Sequence, residues 1–228
     1  MGVLALRIIA DVLAVQISSP PIPQQERTEQ REDKMSRKIA IFDAHPDPDP
    51  ARFVHALAQT YASGAREAGH EVRMIMLGML DVPILRTREE WGKGKTAPKV
   101  VLDGQAAIQW ADHLVFLYPL WLGDMPALLK AYLEQVMRPG FALDYGEGKF
   151  PMKLLGGRSA RVVVAMGMPA FFYRAYYGAH SLRSFKRNIL VSTGIEPVST
   201  SLIGNVEGSK EHRQRWLERM RACGANGD

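Results

Sequence analysis

The chain has 228 residues, of which 46% are hydrophobic and 23% charged, and its formal net charge is +5. That balance excludes a disordered or fibrous protein, and the length suits one large domain rather than two small ones. Its one cysteine, Cys223, excludes an intrachain disulfide and a thiolate metal cluster and fits a reducing, cytoplasmic setting.

Residues 1–35 differ from the rest. "GVLALRIIADVLAVQI" is apolar, but Arg7 and Asp11 interrupt it and it is too short for a membrane span. The charge lies inside the apolar stretch instead of ahead of it, which argues against a secretory signal. We expect an N-terminal extension, partly helical and then disordered over the polar "SSPPIPQQERTEQREDK", ahead of a folded domain at 36–228.

The apolar run at 38–44 predicts a buried strand. Behind it, Phe53, Leu57, Tyr61 and Ala65 recur at helical spacing up to Gly69, a suitable helix stop. "EVRMIML" (71–77) predicts a second strand, and 78–98 a surface excursion. "KVVLDGQAAIQWA" predicts a helix despite Gly104, and "HLVFLYPL" (113–120) a strand apolar enough to be covered on both faces. "DMPALLKAYLEQVM" (124–137) predicts an amphipathic helix with Asp124 as its cap, followed by a long loop. "ARVVVAMG" (160–167), a helix around 175–193, "EPVSTSLIG" (196–204) and a closing helix complete the series.

Strands alternating with helices predict a doubly wound five-stranded parallel sheet with helices on both faces. The flavodoxin-like strand order 2-1-3-4-5 fits, with ligands beyond the carboxyl ends of the strands. Three loops would then share one edge: "HPDPDPARF" (45–53), "YPLWLGDMP" (118–126) and "AMGMPAFFYRAYYGAH" (165–180). The six histidines show no metal-ligand spacing, so no metal is expected, and no compact basic run or aromatic-interleaved stripe points to nucleic acid.

"HPDPDPARFVHAL", "ADHLVFLYPLWLGDMPALLKAYLEQV" with "PGFAL", and "MGMPAFFYRAYYGAH" together resemble the NAD(P)H dehydrogenase (quinone) family of flavodoxin-like oxidoreductases. That family includes DT-diaphorase, the drug-activity modulator quinone reductases and the potassium-efflux ancillary flavoproteins. The likeness runs from about Lys38 to Gly204. It implies a bound FMN or FAD, NAD(P)H as co-substrate, and ping-pong hydride transfer to a quinone-like acceptor. By the same resemblance His45 faces the flavin phosphate and Phe53 keeps an aromatic position. Arg52 stands where relatives supply a hydroxyl and is expected to replace it as a charged phosphate ligand, which the family pattern itself does not imply. Pro119, Leu120, Trp121 and Leu122 lie along the isoalloxazine, whose polar edges and apolar faces suit backbone groups and Trp or Leu. Gly167 wraps its pyrimidine edge, in a chain that has Ala165-Met166-Gly167-Met168 where relatives often carry hydroxyls. Tyr173 and His180 match, the second only approximately, the pair beside the hydride-transfer site, with Tyr176 and Tyr177 as alternatives. The family further implies a homodimer. Two other readings stay open: a regulatory flavoprotein subunit with a peripheral membrane partner of the potassium-efflux type, and an azo- or nitroreductase.

Overall fold

The strand at Lys38–Asp43 (β1) is buried at all but its first residue, so it needs cover on both faces and a neighbour on both sides. The computed structural model, which describes residues 36–92, 97–146 and 151–228, supplies both. β1 pairs in parallel with β2 (Glu71–Met76) on one side and β3 (His113–Pro119) on the other. The two-residue strands β4 (Leu143–Asp144) and β5 (Met152–Lys153) form a separate antiparallel pair. β6 (Ser159–Ala165) pairs in parallel with β3, and β7 (Val198–Ile203) with β6. The main sheet therefore runs β2-β1-β3-β6-β7, the order expected for five strands read 2-1-3-4-5. The edge strand β2 is only half-buried, while β3 and β6 are almost wholly covered.

Alternate side chains of each strand feed two cores. Phe42, Phe116, Val162 and Val164 point to one, where Phe42 and Phe116 stack at 4.7 Å. Ile41, Val115, Leu117, Val163 and Ile203 point to the other. In chain order the helices are α1 (Phe53–Glu67), α2 (Arg88–Trp91), α3 (Lys99–Trp110) and α4 (Ala127–Val136), then α5 (Ala170–Ala175), α6 (His180–Ser184) and α7 (Lys210–Asn226). Val101, Ile108, Leu129 and Leu133 of α3 and α4 close the first core. Leu57, Ala58 and Tyr61 of α1 and Met220 of α7 close the second.

Three local expectations are corrected. Asp124 does not cap α4: Pro126 occupies that position, and the Asp124 carboxylate accepts from the Met125 N–H at 2.6 Å. The helix expected around 175–193 is α5, α6 and a π-helical turn at Phe185–Val191, because Gly178 and Ala179 take φ of +59° and +48° between them. The long loop after α4 holds the β4–β5 pair. The expected N-terminal extension lies outside the described residues, and no described helix is long and apolar enough to cross a membrane.

Candidate functional site

Parallel strands deliver their carboxyl ends to one edge, so the loops after β1, β3 and β6 emerge together. Side chains join them. The His45 ring, after β1, meets the Trp121 ring, after β3, edge-on at 6.0 Å. The Tyr177 ring, after α5, lies 3.8 Å from where a side chain on Gly123 would begin.

The first loop is built on aspartate-centred turns. Asp47 Oδ1 accepts from Asp49 N–H at 2.9 Å, and Asp49 Oδ1 from Ala51 N–H at 3.0 Å. Arg52 Nε donates to Asp47 Oδ2 at 2.8 Å, and its guanidinium lies 3.6 Å from Asp49. The bond from the Asp49 amide, with help from Arg52, holds the Asp47 carboxyl below its usual pKa. Arg52 is thus already paired inside the loop. Phe53 begins α1 and packs against the second core. No side chain caps α1 and no acid sits in its first turn, so its amino end faces the loop uncancelled.

His45 is buried, and its Nδ1 lies 3.1 Å from both the nitrogen and the carbonyl oxygen of Asp47. Burial lowers its pKa, helped by the nearby His55 ring. Its Nε2 has no protein partner among the described residues. Two residues missed in the sequence support it. Asp43, the last residue of β1, accepts from the His45 N–H at 3.4 Å and from His55 Nδ1 at 2.5 Å. His55 Nε2 lies 2.9 Å from the Asp47 carbonyl oxygen. The available signal was an aspartate ending an apolar strand and a histidine in the first turn of the next helix.

In the second loop Leu120 N–H donates to the Ala165 carbonyl at 2.8 Å, carrying the chain one residue beyond Pro119 of β3. Trp121 and Asp124 then exchange two hydrogen bonds of 2.9 Å around Leu122 and Gly123, whose φ values are +49° and +80°. Two successive positive φ values make this a type I′ turn, which suits glycine and costs a leucine about 1–2 kcal/mol. Strain of this kind collects where a side chain must be presented, and Leu122 is fully exposed. Trp121 is half-exposed beside it.

In the third loop Gly167 is exposed, with nothing within 4 Å of where a side chain would start. Phe171, Phe172, Tyr176 and Tyr177 form an exposed aromatic surface, in which Phe172 and Tyr176 stack at 5.0 Å. Tyr173 does not join them. It is 0% exposed, its hydroxyl 2.7 Å from Ser181 Oγ and accepting from the Leu182 N–H at 3.3 Å. That enclosure does not suit the donor role implied for it, whereas His180 is at the surface. Tyr173→Phe is expected to strand Ser181 and Leu182, costing about 1–3 kcal/mol and lowering Tm by roughly 2–12 °C, while acceptor turnover below the melt stays at the parent rate. Thermal melts paired with steady-state rates test this; a stable variant with slow turnover would return Tyr173 to the reaction.

The donor set fits a flavin mononucleotide. An anion finds the unpartnered His45 Nε2 and the open end of α1, and a planar ring finds Trp121, Leu122 and the backbone of Leu122, Gly123 and Gly167. Comparison with known proteins agrees. A family model described as "flavodoxin-like fold" matches residues 37–223. A ribosyldihydronicotinamide dehydrogenase-like protein of Penicillium crustosum is 28% identical, with 57% of each chain covered. An FMN-dependent NADH:quinone oxidoreductase of Bacillus subtilis is 26% identical over 48% of this chain and 51% of its own. The solved structure of an NAD(P)H:quinone oxidoreductase from Methanothermobacter marburgensis superposes with a TM-score of 0.72 at 27% identity, covering 85% of this chain and all of that one. The match thus spans just over half the length of those two curated relatives. With the family match running from before β1 into α7, this chain belongs to the flavodoxin-like fold family.

Proposed function

We propose that this protein is an NAD(P)H-dependent flavin oxidoreductase that holds FMN and passes two electrons to a quinone or similar acceptor. The observation that carries this reading is the convergence of the three loops, with His45 against Trp121. The names of the Bacillus subtilis and Methanothermobacter relatives support it, and that of the Bacillus subtilis protein favours FMN over FAD. FMN supplies a ring that accepts and returns hydride. The protein's own groups bind and orient. His45 Nε2–H and the amino end of α1 take the phosphate. Backbone groups at Pro119 to Leu122 and at Gly167 take the ring's polar edges, and Trp121 covers an apolar face. The aromatic surface of Phe172, Tyr176 and Tyr177 suits a flat acceptor. On this reading Tyr177, exposed where Tyr173 is enclosed, and His180, also exposed, are the phenol and imidazole that give a proton to the acceptor oxygen.

A homodimer belongs to the same reading. Leu122 is 107% exposed, Phe171 72% and Tyr176 73%, an apolar rim that a second copy would cover. Purified full-length protein is expected to quench FMN fluorescence at micromolar concentration, to be reduced by NAD(P)H, to be re-oxidised by a quinone, and to scatter light as a dimer. Absence of quenching would remove the flavin; a fully active monomer would remove only the dimer.

A further inference from the structure

His55 is tied between two groups that can only accept. The Asp43 carboxylate lies 2.5 Å from Nδ1, and the Asp47 carbonyl 2.9 Å from Nε2. Neither has a proton to offer, so an imidazole makes both bonds only when both ring nitrogens carry hydrogen. His55 and Asp43 are both buried, at 6% and 1% exposure, where an unpaired charge is costly and a paired one holds. Burial pulls the His55 pKa down, but the Asp43 bond, the Asp47 carbonyl and the charges of Asp43 and Asp47 outweigh it, and the value is raised.

This charged ring governs the next one. His45 Nδ1 lies 3.1 Å from both the Asp47 carbonyl oxygen, which already accepts from His55, and the Asp47 nitrogen, whose N–H can only donate and has no other acceptor among the described residues. Nδ1 is then an acceptor, and the only proton of a neutral His45 sits on Nε2. The two rings lie 5.4 Å apart, so a positive His55 also helps to keep His45 neutral. One histidine stays charged beneath the loop and the other stays neutral in a fixed tautomer.

We infer that His55 is the positioning residue of the phosphate subsite: its imidazolium, clamped between Asp43 and the Asp47 carbonyl, fixes the loop so that His45 presents Nε2–H, and adds a buried positive charge that selects phosphate-bearing flavins. The inference rests on the flavin reading above. It predicts a pH dependence. A raised folded pKa means that the clamp is fully formed below the unfolded value and is lost as pH rises through the folded one. The charged and titratable groups facing His55 are Asp43 from β1 and His45 and Asp47 from the loop, with Arg52 one step beyond on Asp47. The FMN phosphate has its second pKa near about 6, so above neutrality the ligand's own charge is constant.

The test measures FMN and riboflavin affinity of the full chain and of His55→Gln between about pH 7 and about pH 9.5. The parent should lose about 10-fold in FMN affinity across His55's titration while riboflavin binding stays flat. His55→Gln should start about 10-fold weaker for FMN at the low end and show no slope. Identical FMN affinities and profiles for parent and variant overturn the inference while leaving the flavin reading intact. Loss of FMN and riboflavin binding by the parent itself overturns that reading instead. If His55→Gln does not fold, ring nitrogen NMR of the parent decides: two protonated nitrogens on His55 at pH 7.5, about one unit above the free imidazole value, support the clamp, and a neutral ring overturns it.

Discussion

Valine in place of Gly224 is expected to lower the melting temperature by roughly 6–12 °C. The cause is the contact between α1 and α7. A side chain begun at Gly224 would stand 2.1 Å from the Tyr61 carbonyl oxygen, and one begun at Gly64 2.2 Å from the Arg221 carbonyl oxygen. Each helix thus lays bare backbone against the other. Glycine in a helix interior costs about 1 kcal/mol relative to alanine, and the chain carries that cost on both helices. Any β-carbon must push backbone, which cannot rotate aside as a side chain can. Overpacking of this kind costs about 1–3 kcal/mol and occasionally more, with the upper end expected for a branched residue at a backbone contact. Ala222→Val, on the exposed side of the same helix, is the control and should cost only a few tenths of a kcal/mol. Melting of Gly224→Val within a degree or two of the parent, about 0.5 kcal/mol, would mean that α7 is not docked in this way.

The same helix pair shows what the sequence could and could not reveal. The apolar period of Phe53, Leu57 and Tyr61 identifies α1 and its buried face, because burial acts residue by residue along one element. That Gly64 answers Gly224 is invisible to it: the two lie 160 positions apart and meet only once the sheet has placed β1 and β3 between β2 and β6. Strands announce themselves by apolar content, and the order 2-1-3-4-5 follows from alternation with helices, so the edge holding the three loops was legible. Rotation about an element was not. The interval from Gly167 to Tyr173 fixes a distance along the chain, yet the turn of α5 places Phe172 outside and Tyr173 inside. Asp124 has the composition of a helix cap, but the type I′ turn takes its backbone for Trp121, and a leucine at φ +49° is not what local preference proposes. The Asp43–His55 pair failed for the opposite reason. Each residue is ordinary alone, and only the bend from strand to helix brings the two side chains to 2.5 Å.

The loop between them separates two basic groups that composition treats alike, and the last expected result turns on that difference. On the flavin reading, His45→Ala should weaken FMN binding by about 1.5–3 kcal/mol, roughly 10- to 150-fold, and leave riboflavin almost untouched. His45 offers an Nε2 with no competing protein partner among the described residues. Arg52 offers a half-exposed guanidinium already on Asp47 at 2.6 Å, so a phosphate must draw it away from a carboxylate beside the same site. Exposed pairs of this type are worth about 1 kcal/mol or less, which limits the direct effect of Arg52→Ala to about 5-fold. Its larger consequence is indirect. Removing the guanidinium uncovers the negative charge of Asp47 two residues from His45, where it repels the phosphate. Asp47→Asn should therefore restore most of what Arg52→Ala loses, and the double variant should bind FMN more tightly than Arg52→Ala alone. A phosphate held directly by Arg52 gives another pattern: losses from Arg52→Ala equal to those from His45→Ala, and no recovery on neutralising Asp47. Isothermal titration of the four proteins with FMN, and with riboflavin as the phosphate-free control, distinguishes a cationic ligand from a residue that shields a neighbouring acid.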